Sequence, residues 1–307
     1  MDSCCGQSGG RDQKAHFEEI VNSQQIAAIV LTKDEEGDLP ACLDSLHGLA
    51  SEVFIIDSGS TDRTAAIAAC YGAQVLSHGF FNYASQFNWA LETIPATAEW
   101  ILRIDADERV SLELADSIRR VLSTAGAEVT GILVPRLTVF LGRRIRHGDT
   151  YPVWLLRLFR HGVGRCEETW MDEHIILDQG KTVKAQGDLI HEIPKSLSEW
   201  IRKHDWYAER ECKDILGESG RPPDLTGQPG ARRILKQGLY LRLPLFVRAF
   251  LYWFYRYFLK LGLLDGKEGL IYHFLQGFWY RFLVDAKLHE LKKAISVEKS
   301  TTKAQSQ

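Results

Sequence analysis

Apolar and polar positions change their period along the chain, and those changes mark its elements. Residues 26–32, IAAIVLT, are a short unbroken apolar run, the pattern of a strand buried on both faces. A polar loop leads into LPACLDSLHGLA, whose apolar residues recur at helical spacing. VFIIDSG (53–59) predicts a second buried strand ending in Asp57. TDRTAAIAACYG follows as a helix that Ser60 or Thr61 can cap and Gly72 can stop. AQVLS (73–77) predicts a third strand, YASQFNWALETI a helix, EWILRIDAD (99–107) a fourth strand and SLELADSIRRVLS another helix. This alternation predicts an α/β fold with a parallel sheet covered by helices. Ligands of such sheets collect beyond the carboxyl ends of the strands. Three polar clusters fall there: Thr32 to Glu36, Asp57 to Asp62, and Asp105 to Glu108.

After Gly131 the texture changes. GILVPRLTVFLGRRIRHG and VWLLRLFRHGVGRC read as longer strands separated by basic turns, followed by WMDEHIIL (170–177) and LIHEIP (189–194). SLSEWIRKHDWYAERECKDIL (196–216) is a charged amphipathic helix, and ESGRPPDLTGQPG, rich in Pro and Gly, is a linker. The pattern divides the chain into a tail (1–25), an α/β domain (26–217), the linker (218–230), a helical region (231–290) and a C-terminal tail (291–307).

With 45% hydrophobic and 25% charged residues, the chain is an ordinary globular one. A formal net charge of −3 argues against a nucleic-acid binder, which would carry a strong basic excess. Six cysteines without a C-x-x-C pair point to reduced thiols rather than disulfides or zinc. The start, MDSCCGQSGG, has no apolar run after it, so no secretory signal is expected.

Asp105-Ala106-Asp107-Glu108 is the central chemical signal. On a strand, residues i and i+2 point to the same side, so Asp105 and Asp107 would be presented together where the strand leaves the sheet. Mg2+ or Mn2+ is commonly held by one or two carboxylates plus substrate phosphates. Neither G-x-G-x-x-G nor G-x-x-x-x-G-K-[ST] is present, so a bound diphosphate needs another neutralising group, and a metal on Asp107 supplies one. Asp57 can accept a hydrogen bond from a nucleobase imide or a ribose hydroxyl, whereas Asp62 reads as a helix cap. In His191-Glu192 the run is HEIPK, which lacks the second histidine of a zinc-protease helix and carries a proline.

TKDEE (32–36), VFIIDSGSTDRT (53–64) and WILRIDADE (100–108) together resemble family 2 glycosyltransferases, in particular the branch of lipopolysaccharide-core β-1,4-glucosyltransferases. LDGKEGLIYHFLQG is similar to that branch's C-terminal region. The resemblance implies a GT-A type, Rossmann-like, mostly parallel sheet with C-terminal amphipathic helices. It implies nucleotide-sugar contacts from Thr32, Glu35, Asp57, Arg63, Asn88 and Asp105, and a metal on Asp107. Two positions depart from the pattern: Asp34 replaces an Asn, and Phe87 stands where a basic residue is usual, so Arg63 or Arg103 would supply the cation. Glu173, with Asp172 before it, matches the branch's short H-E motif. A carboxylate there suits the removal of an acceptor hydroxyl proton in an inverting transfer.

The implied function is transfer of a hexose from a UDP-sugar to a lipid-linked glycan such as lipopolysaccharide core. A polyprenyl-phosphate glycosyltransferase, a non-catalytic nucleotide-sugar-binding scaffold and a nucleotidyltransferase stay open as alternatives. From Ala231 to Leu264 there is no acid but seven bases, Arg232, Arg233, Lys236, Arg242, Arg248, Arg256 and Lys260, among dense aromatics. Neither apolar stretch here reaches the roughly 18 uncharged residues of a membrane span. As a helix, 245–261 places Arg256 and Lys260 on one side and aromatics on the others, which suits an anionic membrane surface. The expected location is the cytoplasmic face of a membrane, peripheral or monotopic.

Overall fold

The computed structural model describes residues 26–167, 174–193, 196–216, 240 and 242–305. The expected tail (1–25) and linker (218–230), the bases Arg232, Arg233 and Lys236, and the expected catalytic pair Asp172 and Glu173 lie outside the described residues. The chain forms two compact units. The first contains the described residues up to Pro135, with Trp154–Cys166 and His174–Ile190. The second contains Arg136–Val153, Glu167 and the described residues from His191 onward. Residues 136–153 and the helix at 197–216 thus group with the C-terminal helices, where sequence texture alone placed them in an α/β domain ending at 217.

In the first unit, strands and helices alternate as β1 (Ile26–Thr32), α1 (Leu39–Leu46), β2 (Glu52–Asp57), α2 (Thr64–Cys70), β3 (Gln74–Ser77), α3 (Tyr83–Thr93) and β4 (Trp100–Asp105). A short β5 (Glu108–Val110) and α4 (Leu112–Thr124) follow. Strand β6 (Val129–Phe140) begins in this unit, and β8 (Val153–Arg160) lies almost wholly within it. The strand order is β3-β2-β1-β4-β8-β6. β1 is parallel to both β2 and β4, and β2 to β3, while β8 runs antiparallel to β4. This is the α/β, mostly parallel GT-A-type arrangement expected from the sequence. Strand order reverses at β1, so the crevice beside its carboxyl end is the topological switch point where ligands bind.

The unbroken apolar run of β1 follows from burial on both faces. Ile26, Ala28 and Val30 pack with Leu39, Cys42 and Leu46 of α1 and with Leu114 and Ile118 of α4. Ala27, Ile29 and Leu31 face the opposite way, against Ala84, Phe87 and Ala90 of α3. Helix starts use their own caps. Asn82 accepts from the Ser85 amide at 2.7 Å at the head of α3, and Ser111 accepts from the Leu114 amide at 3.2 Å at the head of α4. Helix α2 begins at Thr64, later than expected, and neither Ser60 nor Thr61 caps it. The N-cap position is Arg63, which makes no side-chain cap, and Asp62 just before it accepts from the Thr64 amide at 2.9 Å.

Among the described residues, the second unit contains the end of β6 paired with β7 (Arg143–Ile145), and four α-helices. These are α5 (Leu197–Leu216), α6 (Val247–Phe254), α7 (Gly266–Phe274) and α8 (Tyr280–Gln305). π-helical turns at Tyr255–Leu259 and Leu275–Trp279 extend α6 and join α7 to α8. Ala208 and Cys212 of α5 pack on Tyr280, Val284 and Leu288 of α8. His191 and Glu192 sit on a strand, Leu189–Glu192, so no zinc-protease helix forms. The expected basic stripe is corrected: Lys260 is exposed, but Arg256 is 8% exposed because its Nε donates to the Gly148 carbonyl at 2.7 Å. Arg248 is likewise buried, paired with Asp285.

Gly187 sets the close approach of its loop to α4. Its φ is +91°, and a Cβ there would lie 2.2 Å from the Leu114 nitrogen and 2.7 Å from the Glu113 carbonyl carbon. Gly187→Ala is expected to cost about 1–3 kcal/mol of stability, through left-handed strain and backbone overlap. Urea denaturation of the full chain measures it.

Candidate active site

Three neighbouring strand ends meet at the switch point. Thr32 ends β1 and is the register partner of Asp57, which ends β2. Asp105 ends β4, opposite Leu31 of β1. Thr32 is 3% exposed and Asp57 7%, and the Thr32 hydroxyl donates to Asp57 Oδ1 at 3.0 Å. Asp57 Oδ2 accepts from the amides of Gly59 at 2.9 Å and Ser60 at 2.8 Å, and the Ser60 hydroxyl donates to Oδ1. These donors fill the roughly four acceptor positions of a carboxylate. Burial pushes the Asp57 carboxyl up, but the hydrogen bonds from Ser60, Thr32 and Gly59 outweigh it and hold it below its ordinary value.

The TKDEE loop and the SGSTDR loop are zipped together beside this pair. Asp34 takes a φ of +54°, a left-handed conformation that Asn and Asp tolerate better than most residues. That explains how Asp stands where the resemblance has Asn. Its carboxylate accepts from the Thr61 amide at 2.7 Å, and its own amide donates to the Ser60 hydroxyl at 2.9 Å. The Glu35 amide donates to the Thr64 hydroxyl at 2.8 Å, and the Glu36 amide to Asp62 at 3.0 Å. Arg63 is exposed and donates to Glu36 at 3.1 Å.

The D-x-D segment is a turn, not a continuous strand. Asp105 closes β4, Ala106 and Asp107 turn, and Glu108 opens β5, so strand periodicity does not align the two aspartates. Arg157 of β8 organises the turn, and sequence reading missed it. Its Nη2 donates to Asp105 Oδ2 at 2.9 Å and to Glu108 Oε1 at 2.6 Å. Glu108 is fully buried, and its Oε2 accepts from the Asp105 amide at 3.1 Å. Burial lowers the Arg157 pKa, but the Asp105 and Glu108 carboxylates outweigh it and hold the guanidinium above its ordinary value. The available signal was an arginine inside the apolar run VWLLRLF, since a charge on a buried strand demands a partner.

Asp105, Asp107 and Glu108 against Arg109 and Arg157 leave one formal negative charge at this turn, with Asp107 half-buried in it. Oxygen donors and that charge fit Mg2+ or Mn2+. Among the described residues no group of three or more His, Cys, Asp or Glu is arranged to hold a metal.

Two expected contacts are placed differently. Asn88 spends its amide on the Cys166 backbone, donating at 2.9 Å and accepting at 2.8 Å. Phe87 is core, and Arg103, 6% exposed, lies over its ring at 5.3 Å and donates to Cys166 Sγ at 3.3 Å. Arg103 therefore faces the apolar side of the sheet.

Two outcomes test this geometry. Arg157→Met should destabilise the chain by about 3–5 kcal/mol, because buried Glu108 loses the guanidinium that compensates its charge. Adding Glu108→Gln should recover part of the loss in urea denaturation. The depressed Asp57 carboxyl stabilises the fold fully above its ordinary value of about 4, and that contribution disappears as pH falls through the lower folded value. Asp57→Asn should therefore flatten the stability profile below about pH 4.

The family model for glycosyl transferase family 2 matches residues 27–166. The lipopolysaccharide core biosynthesis glycosyltransferase LpsC of Rhizobium meliloti (strain 1021) is 31% identical over 204 residues, which cover 64% of this chain and 74% of LpsC. An uncharacterized glycosyltransferase of Rickettsia bellii (strain RML369-C) is 25% identical over 284 residues, covering 88% of this chain and 87% of the relative. Among solved structures, a glucosyl-3-phosphoglycerate synthase from Mycobacterium tuberculosis, in complex with Mn2+, UDP and glucosyl-3-phosphoglycerate, is similar with a TM-score of 0.32 and 20% identity. That match covers 45% of this chain and 52% of that one, so the chain spans about half the length of the solved protein. The strand-end cluster lies inside the matched segment, and the match to LpsC extends over most of that relative. The chain belongs to glycosyl transferase family 2 and is a glycosyltransferase.

Proposed function

We propose that this transferase moves a hexose, glucose or a relative of it, from a UDP-sugar to a lipid-linked glycan such as lipopolysaccharide core, with inversion at the anomeric carbon. The observation that carries the reading is the convergence of Thr32, Asp57 and the Asp105–Glu108 turn at the carboxyl ends of three adjacent parallel strands. The similarity to LpsC supports the choice of acceptor.

Asp57 is saturated by Thr32 and its own loop, so a nucleobase N–H binds by displacing one of these donors, the Ser60 hydroxyl. The carboxylate stays ionised throughout, because the remaining amide donors hold its pKa down. Arg157 cancels one of the two negative charges of Asp105 and Glu108 and fixes the turn that carries Asp107. Asp107, with oxygens of the donor diphosphate, would hold Mg2+ or Mn2+, which when bound neutralises the charge developing on the leaving group. Glu173 takes the proton from the acceptor hydroxyl as that oxygen attacks, with Asp172 the neighbouring carboxylate in sequence.

The test is release of nucleoside diphosphate from a panel of nucleotide-sugars, with Mn2+ and a membrane extract as the source of acceptor. UDP release from UDP-glucose or a related UDP-hexose is expected, and EDTA should abolish it. Asp107→Ala should lower the rate by about 10²-fold or more, the scale of losing one transition-state charge stabiliser. Glu173→Gln should lower kcat by about 10²–10⁴-fold with UDP affinity unchanged. Full activity in EDTA would remove the metal from this reading. Near-normal rates for both Glu173→Gln and Asp172→Asn would favour an acceptor that is already an anion.

A further inference from the structure

The run from Val247 to Leu259 has its polarity inverted. A helix on a water-soluble protein buries an apolar stripe and exposes its charges. Here Val247, Phe250, Leu251, Phe254, Phe258 and Leu259 are exposed, at i, i+3, i+4, i+7, i+11 and i+12. Phe250 is 49% exposed and Leu259 64%. The opposite face buries the charges: Arg248 is 2% exposed and Arg256 8%. Arg248 Nε donates to Asp285 Oδ1 at 2.7 Å, and Asp285 is itself 1% exposed. The inward arginines are bonded internally, and the outward face presents apolar side chains.

The second helical run repeats the inversion. Leu270, Ile271, Phe274 and Phe282 are exposed, while His273 and Asp285 are buried. The two runs lie side by side. The Trp253 ring is 6.4 Å from that of Phe274 and 6.2 Å from that of Phe278, and Phe246 is 4.9 Å from Phe282. Their outward residues therefore form one surface. The connection between the runs, where a turn in water would be polar, exposes Leu261, Leu263 and Leu264. Exposed Lys260 and Lys267 bracket this leucine turn. A contiguous apolar surface of this extent marks an interaction site.

We propose that this surface is a monotopic bilayer-inserting face, with the leucine turn and the outward aromatics seated in one leaflet. No helix among the described residues is long and apolar enough to cross a membrane, so the face enters a leaflet without spanning. Lys260 and Lys267 select a bilayer over a second copy of the chain. Lysine stems run along hydrocarbon and lift their ammonium groups to lipid phosphates, whereas a self-complementary pairing of the same patch would bring like charges together. The inference is independent of the donor, metal and base assigned above.

Flotation of the full-length protein with vesicles tests it, using phosphatidylcholine alone and phosphatidylcholine with phosphatidylglycerol. Wild type should float with both and stay bound in about 1 M salt, where screening is complete within roughly 3 Å. Leu263→Asn with Leu264→Asn should lower partitioning by about 10²-fold, and Phe250→Asn, on a different element, by about tenfold. Leu112→Asn, which removes a leucine 87% exposed on α4, should change nothing. Circular dichroism melting checks that each variant folds. Binding confined to anionic vesicles and stripped by salt would overturn the proposal. So would equal losses in Leu112→Asn. A dimer without flotation, weakened by the same Leu and Phe variants, would assign the face to a second copy instead.

Discussion

A carboxylate as buried as Glu108 is tolerated only with a cation beside it, because removing a lone charge from water costs several kcal/mol. Arg157 is that cation, and its shared hydrogen bonds to Glu108 and Asp105 set the shape of the turn between β4 and β5. The consequence reaches the chemistry. With Asp105 drawn to Arg157 and Glu108 committed to Arg157 and the Asp105 amide, the two aspartates of the D-x-D are no longer equivalent. Asp105 is a structural carboxylate as well as a candidate contact, and Asp107 is the one carried out on the turn.

The donor-side loops rest on the same economy of hydrogen bonds. Asp34, Asp57 and Asp62 each accept backbone amides, so two polar loops without regular structure are locked to one another. Preorganised loops on a rigid parallel sheet are the usual platform for a nucleotide at a switch point. The acidic residues of these motifs thus shape the loops first, and one of them, Asp57, has no acceptor position left over for a substrate in this state.

The second unit solves a different problem with the same kind of pair. Arg248 and Asp285 tie α6 to α8 from the inside, and Asp265 accepts the Arg146 and His147 amides while pairing with the His147 and His273 rings. Burial and these hydrogen bonds compete at Asp265, and the hydrogen bonds hold its carboxyl below the ordinary value. Polar groups therefore help stitch the interior of this unit together beside buried Trp200, Tyr272 and Tyr280, while Phe250, Phe254, Phe258 and Phe274 are exposed.

Much of the fold was legible in the residues. The apolar runs of β1, β2 and β4 and the helical spacing between them are local patterns, and the βαβ rule turns them into a parallel sheet with polar clusters at its carboxyl ends. The pairing of Thr32 with Asp57 follows from that topology. Arg157 was not legible in that role. It lies 52 residues from Asp105, and only the antiparallel placement of β8 against β4 brings it to the turn. The face presented by a helix was equally invisible. Periodicity grouped Arg256 with Lys260, but a helical pattern does not say which side is buried, and the Gly148 carbonyl, 108 residues away, decided that Arg256 goes inside. Local sequence determined which segments are strands and helices, because that depends on neighbours within one or two turns. Tertiary structure decided which charges are spent on one another, because burial pairs groups that the chain keeps far apart.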